Sequence, residues 1–378
     1  MTNWQPSDVF AKNPTLRLSL DERAKIQEKL PQAEDGNFYA DAVFEGGGVK
    51  GTAFLGALRC FDDAGIKFRK VAGTSAGAIT AAMLAAGFTV DRLESILGAL
   101  DYNSLLSKKT SPFIVNGSPE DDLDNSIWML VNLLLVGKRG QYSSEPFLCW
   151  LQNQLDEQGI SSFTSIKCES EAWYHQRELR VVVSDISQKA MRVLPLELPA
   201  YQKSADQFSV SEAVRLSMSI PLFFEPGKLG ESTIVDGGIL SNFPLWIYDA
   251  PACQRPKCPT FGFQLGEEES DNKESKTENP TRTAAGIFSN MFSTMLVAVD
   301  RHYVVRNDQG RVIKIGTGKI TATKFNLSNA DKDYLYEQGY QKAKDFLLNE
   351  WSWEKHLGDR GFCKVEVQES PTVRELVA

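Results

Sequence analysis

Three glycine-flanked sites in this sequence could do chemistry, and one of them has the form of a nucleophile. Gly73-Thr74-Ser75-Ala76-Gly77 fits G-x-S-x-G. The run Phe68–Ala72 before it predicts a short strand, and the small-residue run after it, stopping at Gly87, predicts a helix. Strand, sharp turn bearing a serine, then helix is the context of a nucleophile elbow. Gly73 and Gly77 let such a turn close without Cβ clashes, so the serine hydroxyl projects from the bend. The helix N-terminus beneath it favours developing negative charge. The competing reading of the pentapeptide is a tight turn that merely contains serine.

The second site is Gly46-Gly47-Gly48-Val49-Lys50-Gly51. It follows a predicted buried strand, Phe38–Phe44, and opens a predicted helix, Thr52–Ala64, with Phe54, Leu55, Leu58 and Phe61 on one face. Together with the serine strand this is a βαβ unit. Both of its glycine turns fall at strand C-terminal ends, where open α/β sheets place their sites. The spacing G-x-G-x-x-G also matches the dinucleotide fingerprint. The acidic residue expected roughly 20 positions on is missing between Ile66 and Lys70. A loop whose backbone N–H groups face an oxyanion fits better, with a glycine turn packing helix on strand as the bland alternative. Lys50 reads either as a contact for an anionic headgroup or as a solvated charge. At the third site, the short apolar run Thr233–Val235 delivers Asp236 onto Gly237-Gly238. Alone, that is indistinguishable from an Asp-Gly turn.

The surrounding chain must place these sites. Residues 1–38 read as an appended N-terminal arm with a capping box, Ser19 to Glu22, and a stop at Pro31. Residues 39–350 hold the main domain. Within it, 101–145 reads as an insertion, with the apolar run Ile127–Val136 next to Lys138-Arg139. That run is a lid, a membrane contact or a core helix. Strands are expected at Leu179–Val183, Ala190–Leu194, Thr260–Leu265 and Arg311–Ile315. Helices are expected at Thr89–Leu100, Glu145–Gln158, Val210–Leu216, Ala284–Val305 and Ser328–Asn349. Gly266–Thr281 reads as a solvated loop and 351–378 as a C-terminal tail.

A net charge of -8 argues against a nucleic-acid polymer as partner and against strong electrostatic adhesion to anionic membranes. Six cysteines without a C-x-x-C pair, and three histidines far from them, give no metal-site pattern and suit reduced thiols in the cytoplasm. The first residues lack a basic and apolar leader pattern, and the longest apolar run is too short to span a bilayer.

In this order, each at a strand end, the three motifs resemble those of the patatin-like phospholipase family. The stretch Ser211–Pro221 resembles that family's helix and proline turn ahead of its aspartate. Glu45 departs from the aspartate that many members carry. The resemblance implies an α/β fold, a three-layer α/β/α sandwich with a mainly parallel central sheet. It implies hydrolysis of phospholipid acyl esters at a membrane surface, with no metal and no cofactor. It makes Ser75 the nucleophile and Asp236 the base of a dyad, with Gly46, Gly47 and Gly48 as the oxyanion hole. Some bacterial members are toxic effectors switched on by a signal such as a cyclic nucleotide, including in antiviral defence, and the arm and insertion leave room for such control. Two alternatives stay open. Ser75, Asp236 and His302 follow the chain order of a Ser-Asp-His α/β-hydrolase, although His302 sits in Arg301-His302-Tyr303 on an expected helix; His175 and His356 are the other histidines. The other alternative is a non-enzymatic nucleotide- or phosphate-binding module.

Overall fold

The computed structural model describes residues 4–105, 107–108, 140–168, 170–250, 254–266, 310–322 and 324–362. Helices α1 (Ser7–Lys12) and α2 (Leu20–Glu28) lead into β1 (Phe38–Phe44), α3 (Thr52–Asp63), β2 (Ile66–Thr74), α4 (Ala76–Ala85) and α5 (Val90–Gly98). Strands β3 (Ser107–Lys108) and β4 (Gly140–Ser143) precede α6 (Glu145–Glu157), α7 (Phe163–Ile166), β5 (Glu178–Asp185) and β6 (Ala190–Leu194). After α8 (Val210–Ser217) come β7 (Leu222–Phe224), β8 (Gly227–Leu229), β9 (Ser232–Asp236), β10 (Thr260–Gly266) and β11 (Val312–Gly316). The described chain closes with α9 (Asn329–Asp345) and α10 (Trp353–Asp359). Several helices start where a side chain can satisfy an orphan N–H: Thr89, Ser209 and Ser328 each cap the helix that follows.

The main sheet runs β11-β10-β1-β2-β5-β9-β8, with β6 also paired to β5. From β11 to β5 every pairing is parallel, while β6 and β9 run antiparallel to β5. It is a mixed, mostly parallel sheet flanked by helices. Alternation along each strand assigns the faces. Ala40, Ala42 and Phe44 join Phe261, Phe263, Val181 and Val183 in the large core under α3, α4, α8 and α9. Val43, Ala72, Val182 and Val312 face the other way, against Phe243, Leu245 and Ile247 among the described residues. Burial on both faces fits β1, whose residues are apolar except for Asp41 and buried from Tyr39 to Phe44.

Pairing on β5 brings two distant segments together. β2 pairs with Glu178–Val182 and β6 with Val181–Asp185, so these two lie on opposite edges. β9 pairs with Val183–Asp185, where β6 is already present, and must therefore share the β2 edge. β2 and β9 thus meet head-on: Thr74 sits opposite Val182 and Asp236 opposite Val183.

The arm is not an appendage. Trp4, Val9, Leu16, Ile26 and Leu30 are buried in the main core. Trp4 Nε1 donates to Asp333 at 2.8 Å, Asn13 Nδ2 to Glu337 at 2.9 Å and Leu18 N–H to the Tyr340 hydroxyl at 2.9 Å, all on α9. Nor does the domain end at 350: Trp351 is buried against Phe261, and Leu357 is buried on α10. The first boundary was invisible because the arm's contacts span most of the chain, and the second because Trp351 meets a strand far back in the sequence. The run Ile127–Val136, most of the loop from Gly266 to Thr281, the helix expected at Ala284–Val305 and His302 lie outside the described residues. No helix among the described residues is long and apolar enough to cross a membrane.

α3 and α9 cross at backbone distance. A Cβ on Gly339 would stand 1.9 Å from the Ala53 carbonyl oxygen, and one on Gly56 would stand 1.9 Å from that of Tyr336. At an open helical position glycine to alanine stabilises by about 0.8–1.0 kcal/mol. Here the clash reverses the sign. Gly339→Ala is expected to destabilise by about 1–3 kcal/mol, read as a lower urea midpoint by circular dichroism. A raised midpoint would show a looser helix crossing than described.

Candidate active site

Ser75 occupies a turn that few side chains tolerate, with φ 52° and ψ -123°. The turn is made possible by its glycines. A Cβ on Gly73 would lie 2.3 Å from the Gly77 carbonyl carbon, and one on Gly77 would lie 2.3 Å from the Phe44 oxygen. Ser75 N–H donates to Ser217 Oγ at 2.9 Å, and that hydroxyl donates to the Val182 carbonyl at 2.6 Å. Ser217, at the end of α8, therefore pins the elbow to β5. Its role was not readable in the sequence beyond the likeness of the Ser211–Pro221 stretch.

Asp236 arrives from β9 on the same edge of β5 and is 3% exposed. Its N–H donates to the Ser219 carbonyl at 2.9 Å, and its Oδ1 accepts the Gly238 N–H at 2.8 Å. Gly237 lies directly under β5, where a Cβ would stand 2.2 Å from the Val182 oxygen. Asp236 Oδ2 is buried and accepts no hydrogen bond among the described residues. Burial pushes the carboxyl up to about 6, against the pull of the adjacent Ser75 hydroxyl and the Gly238 N–H. The hydroxyl is near enough to act on the carboxyl's proton affinity, yet it closes no hydrogen bond to Oδ2.

The glycine loop lies alongside. A Cβ on Gly46 would stand 3.2 Å from Ser75 Cβ. The Gly46 N–H is engaged, however, donating to the Asn242 carbonyl at 3.1 Å. It is not available to an oxyanion, which removes one of the three expected donors. Gly47 and Gly48 are half-buried, and their N–H groups donate no hydrogen bond among the described residues. Gly48 takes φ +56°, and the next N–H, of Val49, donates to the Ala322 carbonyl at 3.0 Å. Lys50 is half-buried in the turn that Gly51 ends, with no ion pair among the described residues.

The described histidines lie elsewhere. His175 precedes β5 and stacks edge-on to Tyr174 at the amino end of the sheet. His356 is buried on α10 beside Trp353, where burial and the neighbouring Arg360 and Arg311 hold it down to about 3.

The raised Asp236 proton affinity has a consequence for stability. The native group holds a proton more tightly than the unfolded one. Its favourable contribution is complete below about pH 3.8 and is lost as pH rises through about 6. Asp236→Asn, which cannot ionise, is expected to melt above the wild type at pH 8, with the gap closing near pH 4. Equal melting temperatures at both pH values would contradict the burial described.

Comparisons with known proteins give the family. A family model described as patatin-like phospholipase matches residues 42–248. The uncharacterised protein YqhO of Bacillus subtilis (strain 168) is 34% identical over 319 residues, 83% of this chain and 100% of its own. The probable lipid hydrolase 463L of Invertebrate iridescent virus 6 is 25% identical over 213 residues, 56% of this chain and 63% of that protein. Among solved structures, VipD from Legionella pneumophila is similar at 18% identity and a TM-score of 0.49, over 85% of this chain and 70% of its own. ExoU from the type III secretion system of Pseudomonas aeruginosa, in complex with SpcU, is similar at 14% identity and a TM-score of 0.45, over 84% and 52%. With the three motifs and the matched span taken together, the chain belongs to the patatin-like phospholipase family.

Proposed function

We propose that the chain is a serine acyl hydrolase that releases fatty acids from phospholipids, working peripherally at a membrane surface. The observation that carries this reading is the pair itself: a strained serine beside a buried carboxyl whose Oδ2 has no other partner. A serine hydroxyl is a weak nucleophile and needs an adjacent base. An aspartate with an ordinary pKa near 3.9 is a poor base at neutral pH, and one raised to about 6 is better matched.

In the first half-reaction Ser75 Oγ attacks the ester carbonyl carbon while its proton passes to Asp236 Oδ2. The carbonyl oxygen becomes an oxyanion, received by the N–H groups of Gly47 and Gly48 with the α4 N-terminus beneath. Collapse expels the lysophospholipid alkoxide, which takes the proton from Asp236. In the second half, water attacks the acyl-serine and gives its proton to Asp236. The fatty acid leaves as Ser75 recovers that proton.

A phospholipid panel with wild type against Ser75→Ala tests the reading. Release of fatty acid by the wild type is expected to fall on the order of 10⁴-fold in Ser75→Ala and in Asp236→Asn. The double variant should lose little beyond either single one, because the two groups act together. Wild-type kcat/KM is expected to rise with pH through about 6, as the carboxyl ionises. His302→Ala should leave the chemical rate nearly unchanged. A loss there on the order of 10⁴-fold would support a Ser-Asp-His triad instead. Full lipid release by Ser75→Ala would dismiss both.

A further inference from the structure

Glu45, the residue that departs from the family's usual aspartate, is 8% exposed. Its own N–H donates to the Phe263 carbonyl at 3.0 Å, and its Oε2 accepts the Leu265 N–H at 2.5 Å, so it is anchored along β10. Its Oε1 accepts from Asn242 Nδ2 at 3.3 Å. The same Nδ2 donates to the Gly46 carbonyl at 3.1 Å, and the Asn242 carbonyl takes the Gly46 N–H at 3.1 Å. Both polar groups of Gly46 are thus held by one residue. An amide nitrogen carries two protons; the Glu45 carboxylate takes one, leaving the other aimed at Gly46.

The peptide plane turns this clamp into an aiming device. In a trans peptide the carbonyl of one residue and the N–H of the next point in opposite directions. Holding the Gly46 carbonyl against Asn242 therefore points the Gly47 N–H the other way, and that N–H donates to no described residue. Asn242 also belongs to the loop that starts at Asp236. Ser241 N–H donates to the Gly237 carbonyl at 3.0 Å, and Thr74 Oγ1 donates to the Ser241 carbonyl at 3.1 Å. One short loop thus touches the strand before the nucleophile, carries the base and holds the glycine turn.

We propose that Glu45 is a positioning residue for the oxyanion hole, acting through Asn242 to aim the Gly47 N–H; the inference rests on the hydrolase reading above. Glu45→Gln keeps shape but brings an NH₂ against either the Leu265 N–H or the Asn242 NH₂, both donors. Asn242→Asp breaks the same link from the other side, setting a carboxylate against Glu45 and the Gly46 carbonyl.

The test uses the full chain, a soluble short-chain ester and a trifluoromethyl ketone. Ser75 adds to that ketone to give a tetrahedral oxyanion. In Glu45→Gln, kcat is expected to fall about 10- to 1000-fold, with KM little changed. Affinity for the ketone should fall in proportion to kcat/KM, because the lost interaction exists only in the tetrahedral state. The pH midpoint of kcat/KM should stay in place, since the base is untouched. Should Glu45→Gln not fold, Asn242→Asp is judged by the same three readouts. A kcat within a few-fold of wild type overturns the inference, and so does a large loss with ketone affinity unchanged or with a displaced pH midpoint. Ser75→Ala run alongside separates the two readings. Turnover persisting there overturns the hydrolase reading and this inference with it. Turnover lost there but normal in Glu45→Gln overturns only the inference.

Discussion

One edge of β5 serves two strands that run in opposite directions, and the site depends on it. β2 occupies the first part of that edge and turns away at Thr74; β9 comes in from the far side and stops at Asp236. A strand that ends in a serine elbow and a strand that ends in an aspartate are thereby set against consecutive residues of a third. No long side chain has to reach across. The close fit at Gly73, Gly77 and Gly237, where any Cβ would meet backbone, follows from bringing three chain segments into so small a space.

The same packing creates opposing demands. Burial raises the proton affinity of the Asp236 carboxyl, while the Ser75 hydroxyl and the Gly238 N–H pull it back down. A positive φ at Ser75 adds backbone strain, on the order of 1–3 kcal/mol for such outliers. Local hydrogen bonds hold these features in place. Ser217, the last residue of α8, and Ser219, two residues on, take the N–H groups of Ser75 and Asp236. The end of that helix is therefore a common abutment for Ser75 and Asp236.

What the sequence made legible was local. The strand–serine–helix unit, the glycine loop between β1 and α3, and the β5–β6 hairpin all lie within short windows, where period and turn chemistry suffice. The place of β9 was not legible, because a five-residue strand carries no record of its partner or direction. Neither was the state of the loop amides: Gly46, Gly47 and Gly48 are the same residue type, and only Asn242, almost 200 positions away, distinguishes them. The arm looked detachable for a similar reason. Trp4 and Phe10 are ordinary aromatic residues until Tyr336 and Tyr340 are brought beside them.

That last contact bears on how the protein is made. Trp4 and its hydrogen-bond partner Asp333 are 329 positions apart. At ribosomal rates of roughly 5–20 residues per second, tens of seconds pass between the synthesis of the two. Over that time Trp4, Val9 and Leu16 have no α9 to cover them. The free edge of β1 likewise waits for β10, which is also translated late. The growing chain thus presents apolar side chains and an unpaired strand together, the combination that chaperones recognise and that favours association between nascent chains. α9 both covers the arm and packs on α3, so this part of the core is completed only once that late segment has been made.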